Sequence, residues 1–323
     1  GFTHFQPAQL TTVGKRASLW LQEFMFDLED LEYVLGNLKF RGAKGTTGTQ
    51  ASFMTIFKGN EEKVKKLDKM VAEKMGFKES YPVTGQTCSR KIDSRVLNVL
   101  SGIAQSASKF ATDIRLLSHL KEVEEPFESE QVGSSAMAYK KNPMRSERIV
   151  AIARHVICSS LNPAFTAAGQ WLERSLDDSA NKRLVIPEAF LATDVILNIL
   201  INVSHGLIVN TEIIKHHVNM ELPFMATETI LMEAVNRGGD RQILHERIRL
   251  HSLEAGHLLR NGADKNELLD MIGNDEAFMP IKMILKDITQ PRNFIGRAPQ
   301  QVVEFINNTV NPVLEKYKDS LGI

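Results

Sequence analysis

The chain of 323 residues is 43% apolar and 24% charged, a balance that excludes wholesale disorder and fits two domains with room for a large core. Its 39 basic and 39 acidic side chains cancel, so it lacks the basic excess of a protein that coats nucleic acid or an anionic membrane, and any cationic site must be local. Two widely separated cysteines, Cys88 and Cys158, argue against a disulfide scaffold or structural zinc and favour a reducing compartment.

The first residues, Gly1 to Pro7, resemble neither a signal nor a transit peptide, and no Met opens the chain, which reads as beginning within something larger. From Leu10 the apolar positions Val13, Ala17, Trp20, Phe24, Leu28, Leu31, Leu35 and Leu38 advance by threes and fours. That stripe predicts a helix of about 30 residues, far above the mean length, whose apolar face must pack on comparably long neighbours. Arg41 to Gln50 follows as a glycine–threonine turn; it lacks the spacing of a nucleotide P-loop and reads as a helix-to-helix connection. The mixed charges of Lys58 to Lys69 read as the solvated face of a short helix.

A second long helix is marked by Ile92, Val96, Val99, Ile103, Ala107, Phe110, Ile114 and Leu117. A third runs from Met144 to Leu161, ending before Asn162-Pro163, and a fourth from Ser179 to Leu207, in which Pro187 should produce a kink. The most apolar stretch, Ala189 to Val203, is interrupted by Asp194, Asn198 and Asn202 and is too short and too polar to span a bilayer. After Val209 the helical segments shorten and are punctuated by Leu222-Pro223, Gly238-Gly239, Met279-Pro280 and Gln290-Pro291. The expectation is an all-α long-helix bundle over residues 1–209 and a smaller helical domain over 210–323.

Three segments are candidates for chemistry. Gln131 to Pro143 joins the second and third long helices. Small residues from Gly133 to Ala136 allow close backbone approach to a ligand. Pro143 suits the first position of the next helix, whose free N–H groups favour an anion, and Lys140, Lys141, Arg145 and Arg148 concentrate positive charge there. A flexible, solvated linker is the competing reading. Trp171 to Arg183 is the second segment: Ser179 reads as a helix N-cap, and Arg174 and Arg183 suit bidentate contact with a carboxylate or phosphate. Salt bridges to Asp177, Asp178 or Glu188 are the alternative for both arginines. His4 is the third, unremarkable by itself. His245-Glu246 with His251 has the wrong spacing for a zinc site, and His216-His217 is an isolated pair, so no metal is assigned.

Four motifs, taken in order, resemble the fumarase/aspartase superfamily and, within it, the adenylosuccinate lyases of the eukaryotic type. Thr3-His4-Phe5-Gln6-Pro7-Ala8-Gln9 is similar to the family's THxQPAQ region, and Lys44 to Gln50 to another of its segments. Gly133 to Pro143 resembles the signature loop GSSxMPxKxNP, with Ala138 where the family has proline. Met144 to Arg148 and Leu176 to Asn181 are similar to adenylosuccinate lyases rather than to fumarases or argininosuccinate lyases. The resemblance covers essentially the whole chain, with the family's N-terminal domain and the start of its central domain expected to precede Gly1.

The resemblance implies elimination of fumarate from adenylosuccinate, giving AMP, and from the succinylated aminoimidazole carboxamide ribotide, without cofactor or metal. It implies Ser134 as general base, His4 as proton donor to the leaving nitrogen and Lys140 as a charge stabiliser for the doubly charged intermediate. Thr3, Gln86, Asn142, Arg148, Arg174, Ser179 and Arg183 form the implied substrate-binding set. It further implies a cytoplasmic homotetramer whose active sites are shared between chains, with no nucleic-acid or membrane partner. A different superfamily lyase, such as an argininosuccinate lyase, or an inactive helical scaffold are the competing functions.

Overall fold

The computed structural model describes residues 1–127, 137 and 139–322. Its elements are overwhelmingly helical. Two short strands, β1 (Phe2–Thr3) and β2 (Gln6–Pro7), form a hairpin in which Phe2 faces Pro7 and Thr3 faces Gln6. The helices that follow are α1 (Val13–Gly36), α2 (Ala51–Ile56), α3 (Glu61–Lys74), α4 (Lys91–His119), α5 (Met144–Ser159), α6 (Leu161–Gly169) and α7 (Asp178–His205). Beyond them come α8 (Thr211–Met225), α9 (Thr227–Asn236), α10 (Arg241–Arg260), α11 (Leu268–Asn274) and shorter helical turns. The chain divides into two compact units, Gly1–Leu21 with Val209–Ile323 and Gln22–Ile208.

In the unit Gln22–Ile208 the core is built by α4, α5 and α7, which pack on one another. On α4 the buried residues Leu97, Leu100, Ala104, Ala107, Ala111 and Ile114 alternate steps of three and four, the spacing that keeps one stripe facing a long neighbour. Its three alanines permit close helix approach. Ile149, Ala153 and Val156 of α5 repeat the steps of four and three, and Ala189, Ile196 and Val203 of α7 recur every seven residues, supplying further stripes to this core. Each fully buried Ile or Leu in such a core contributes roughly 1.5–3 kcal/mol.

In the other unit the core draws on Ile230 and Leu231 of α9, Leu244 and Ile248 of α10, Leu268 and Ile272 of α11, and Phe278 and Ile281. Asp240 starts α10 by accepting from the N–H groups of Gln242 at 2.9 Å and Ile243 at 3.0 Å, the side-chain cap that a helix start requires.

Several boundaries differ from those the sequence suggests. Helix α6 begins at Leu161 and runs through Pro163, because a proline in the first turn sacrifices only an N–H that has no intrahelical partner. Leu222-Pro223 does not end α8 either: the helix continues to Met225 although Pro223 removes a backbone donor near its end. The apolar helix is longer than Ala189 to Val203: Asp178–Gly206 contains an 18-residue window of mean hydropathy 2.0 and is long and apolar enough to cross a membrane by length and composition. Asp194 and Asn198 lie exposed on it, the Asn198 amide donating to the Asp194 carbonyl at 2.9 Å.

Candidate active site

His4 sits at the tip of the β1–β2 hairpin. His4 and Phe5 are its two turn residues, with φ of 51° and 58°, the left-handed pair that a two-residue type I′ turn demands. The usual occupants are Asn and Gly; histidine tolerates the conformation better than phenylalanine, which carries real strain there. The turn holds the imidazole exposed, with Thr3 exposed beside it, in the unit Gly1–Leu21 with Val209–Ile323.

Within Gln22–Ile208, three loops close on one another. The Gly–Thr turn is a built structure rather than a simple connection: Asp68 on α3 accepts from the Ala43 N–H at 2.6 Å and pairs with the buried Lys44 ammonium at 2.9 Å. The Gln50 N–H donates back to the Lys44 carbonyl at 2.8 Å. Gly48, at φ +85°, lies so close to the Thr84 carbonyl that a Cβ would overlap it, and a Cβ on Gly85 would stand 2.5 Å from the Glu173 oxygen. Only glycine permits this approach.

The consequence is that Gln86 and Arg174, 88 positions apart, meet: Arg174 Nη1 donates to Gln86 Oε1 at 2.9 Å. Arg41 joins them, its Nη1 donating to the Gln86 carbonyl at 2.7 Å. Sequence reasoning missed Arg41, since nothing local to the turn announces a bond to a backbone carbonyl 45 residues away.

The salt-bridge alternative for Arg174 and Arg183 is overturned, since among the described residues neither pairs with Asp177, Asp178 or Glu188. The Asp177 carboxylate accepts from the Ser175 hydroxyl at 2.5 Å and the Gln170 amide at 2.9 Å. The Ser175 bond chiefly holds its pKa below the ordinary carboxylate value, against a smaller upward push from burial. Asp178, 1% exposed, lies 3.0 Å from Arg90, which also reaches Asp93 at 3.2 Å. Glu188 is 3.9 Å from His155.

Arg183 instead folds back one turn along α7 to donate to the Ser179 carbonyl at 2.6 Å and to the Ser179 hydroxyl. Ser179 is therefore no N-cap. It lies inside the first turn of α7, whose start is fixed by the buried Arg90–Asp178 pair, and its hydroxyl partners the guanidinium.

Around the start of α5 the structure corrects a second expectation. Pro143 precedes the helix rather than opening it, and the helix N-terminus already holds an anion. The Glu125 carboxylate accepts from the Ser146 N–H at 2.6 Å and the Arg145 N–H at 3.0 Å, so those two donors are not open to a substrate. The Arg145 guanidinium donates to the Pro126 carbonyl, and Lys141 pairs with Glu124 at 2.6 Å. That leaves Lys140 and Arg148 as exposed cations without an ion pair among the described residues. Asn142 lines a cavity of about 340 Å³ with Lys141, Glu124, Glu125 and His119. Ser134, Gly133, Ser135, Ala136 and Ala138 lie outside the described residues.

Among the described residues no group of three or more His, Cys, Asp or Glu forms a cluster fit for a metal. His251 has a local partner, the Asp275 carboxylate at 2.8 Å, which also accepts from the Ala277 N–H at 2.9 Å. Cys88 and Cys158 are free thiols.

Sequence comparison places this arrangement among known proteins. Residues 1–158 match the lyase family, and residues 223–305 match the family described as adenylosuccinate lyase C-terminus. The chain is 51% identical over 322 residues to the adenylosuccinate lyase of Saccharomyces cerevisiae, covering 100% of this chain and 67% of that protein. It is 50% identical over 321 residues to that of Schizosaccharomyces pombe, covering 99% and 67%. With the Schistosoma mansoni adenylosuccinate lyase it shares 49% identity over 323 residues, again covering 99% and 67%. The chain thus spans about two thirds of the length of these curated relatives. Among solved structures, β-carboxy-cis,cis-muconate cycloisomerase from Acinetobacter calcoaceticus superposes with a TM-score of 0.78 at 20% identity, covering 96% of this chain and 66% of that one. A fumarate lyase from Mesorhizobium superposes at 0.75 with 23% identity, covering 94% and 65%. These likenesses show the fold, an all-α long-helix architecture.

Proposed function

The chain belongs to the adenylosuccinate lyase family, and from that premise we propose that it eliminates fumarate from adenylosuccinate, giving AMP, and from the succinylated aminoimidazole carboxamide ribotide, giving the free carboxamide. Residues 1–209 form the central domain of this reading and 210–323 its C-terminal domain. The observation that carries the substrate assignment is the meeting of Arg174 with Gln86; Arg183, bonded to Ser179, shares its character, since both guanidiniums bond neutral acceptors and leave their charge unpaired among the described residues. The substrate brings a phosphate and two carboxylates, about four negative charges near neutral pH. A chain with no net charge needs locally unpaired cations of this kind to hold it.

In the reaction a base removes a proton beside a carboxylate, the carbon–nitrogen bond breaks, and the departing purine nitrogen takes a proton. Electrons from the C–H bond pass through a doubly charged aci-carboxylate before forming the fumarate double bond. Lys140, an exposed ammonium, stabilises that intermediate. Ser134 takes the proton, a role that rests on the match of its loop to the family signature. A hydroxyl becomes basic enough only among fixed positive charges, which Lys140 helps to supply. His4, presented at a hairpin tip, gives the proton to the leaving nitrogen. Thr3, Gln86, Asn142, Arg148, Arg174, Ser179 and Arg183 bind the substrate.

The working enzyme in this reading is a cytoplasmic homotetramer with sites shared between chains and no nucleic-acid or membrane partner. Its support is apolar surface that one chain leaves uncovered: Leu184, Leu191 and Ile201 on α7, and Phe26 and Leu35 on α1, are all more than half exposed.

Fumarate release, followed separately with adenylosuccinate, the imidazole ribotide and argininosuccinate, tests the proposal on the full-length protein. Turnover is expected on the first two. Release from argininosuccinate alone would replace the reading. Ser134→Ala and His4→Ala should each fold and lose about 10²–10⁴-fold in turnover.

A further inference from the structure

Gln86 is gripped by three hydrogen bonds at once. Its N–H donates to the Glu173 carbonyl at 3.2 Å, its carbonyl accepts from Arg41 at 2.7 Å, and its Oε1 accepts from Arg174 at 2.9 Å. A guanidinium can only donate, so the Arg174 contact fixes which way the amide lies: oxygen toward Arg174, NH2 away from it. Both N–H bonds of that NH2 remain unspent among the described residues. Neither Arg41 nor Arg174 meets a carboxylate there. Two full positive charges and an oriented amide donor thus converge, a set suited to a carboxylate or phosphate oxygen.

We propose that Arg41 is a positioning residue of the substrate site, holding the Gln86 backbone so that the side-chain NH2 faces a substrate oxyanion. It acts through Gln86 and not on the reacting atoms. The loop geometry supports this division of labour. Arg41 is exposed, while Gly42, at φ +94°, turns the chain immediately after it. The side chain therefore spends its bond on a carbonyl belonging to a loop that Gly48 and Gly85 bring within reach. Removing a charged donor from a carbonyl leaves that carbonyl to water and frees the segment to move, which weakens binding rather than chemistry.

The kinetic part of the test rests on the lyase reading and uses the full-length enzyme with Arg41→Ala, Arg41→Lys, Gln86→Ala and the Arg41→Ala/Gln86→Ala double variant. Arg41→Ala should raise KM about tenfold with kcat within about threefold and the melting temperature unchanged, and Arg41→Lys should recover part of the loss. Because Arg41 acts through Gln86, the double variant should be no more than about twofold worse than Gln86→Ala alone. An unmoved KM, or penalties that multiply in the double variant, would overturn the proposal. A second arm needs no turnover: hydrogen exchange at the Gln86 N–H should quicken about tenfold in Arg41→Ala while α4 stays protected. Unchanged exchange would equally overturn it. If the unmodified enzyme releases no fumarate, the lyase reading falls and the exchange arm alone decides the role of Arg41.

Discussion

Asp27 shows how a single side chain can work against the fold that contains it. It projects from α1 toward α4, where Gly102 has no side chain; a Cβ there would stand 2.8 Å from Asp27 Oδ1. Its Oδ2 is buried without a hydrogen-bond partner among the described residues. Burial pushes the carboxyl pKa up, the Ser106 hydroxyl offsets part of that, and the charges of Asp30 and Glu23 push it further up. A carboxyl that holds its proton more tightly when folded costs stability as pH rises from its unfolded pKa to its folded one, and the cost stays in full above. Asp27→Asn keeps the shape and removes the charge, so it should raise the denaturation midpoint at pH 7. The advantage should vanish below about pH 4, where the unfolded carboxyl is also protonated. Urea denaturation at the two pH values checks this, and a pH-independent difference would assign the effect to shape instead of charge.

At the scale of elements, periodicity was enough to place α4: the steps from Ile92 to Leu117 name the helix, and Ala107, Phe110, Ile114 and Leu117 among them are buried. It placed α1 as well, where Trp20 and Met25 are buried while Leu35 is 66% exposed in a single chain. A stripe tells which residues face one way, not whether the same chain covers them. The candidate site was legible only in part: Arg183 and Ser179 stand one helical turn apart, yet the sequence reads Ser179 as an N-cap and does not announce their bond. It was illegible where distant backbone atoms decide the outcome, as with Arg41, or where a competing group arrives from elsewhere. Glu125 is such a group: 20 positions before Arg145, it caps α5 and displaces the expected substrate anion. Glu125→Ala should therefore lower stability by about 1–2 kcal/mol through two orphaned N–H groups and a lost charge at the positive helix end. Glu125→Gln, which can still accept one of the bonds, should recover part of it. Thermal unfolding of the three proteins measures both effects; equal stability of Glu125→Ala and the parent would show that water serves those donors as well.

At the scale of the whole molecule, net neutrality, long helices and uncovered apolar stripes belong to one argument. Burying a Leu or Ile side chain contributes roughly 1.5–3 kcal/mol, yet Leu184, Leu191 and Ile201 of α7 remain 63%, 68% and 53% exposed in a single chain. In the proposed homotetramer a second copy offering the same surface would satisfy them by symmetry, and helices as long as α4 and α7 would supply enough turns for that contact to be specific. In the proposed assembly, chains that meet along these stripes also exchange site residues. That arrangement makes a quantitative demand which a site built within one chain does not. Suppose Ser134 and His4 of each working site come from different chains. When Ser134→Ala and His4→Ala chains, both inactive, are unfolded together in equal amounts and refolded, each site draws its Ser134 and its His4 independently. Intact pairs should then form in about a quarter of the sites, restoring about a quarter of the parental turnover. Refolding each variant by itself should restore none. Fumarate release from the mixture measures the fraction, with sedimentation confirming mixed oligomers. Mixed oligomers that stay inactive would place both residues of each site on one chain and rule out this division of the site.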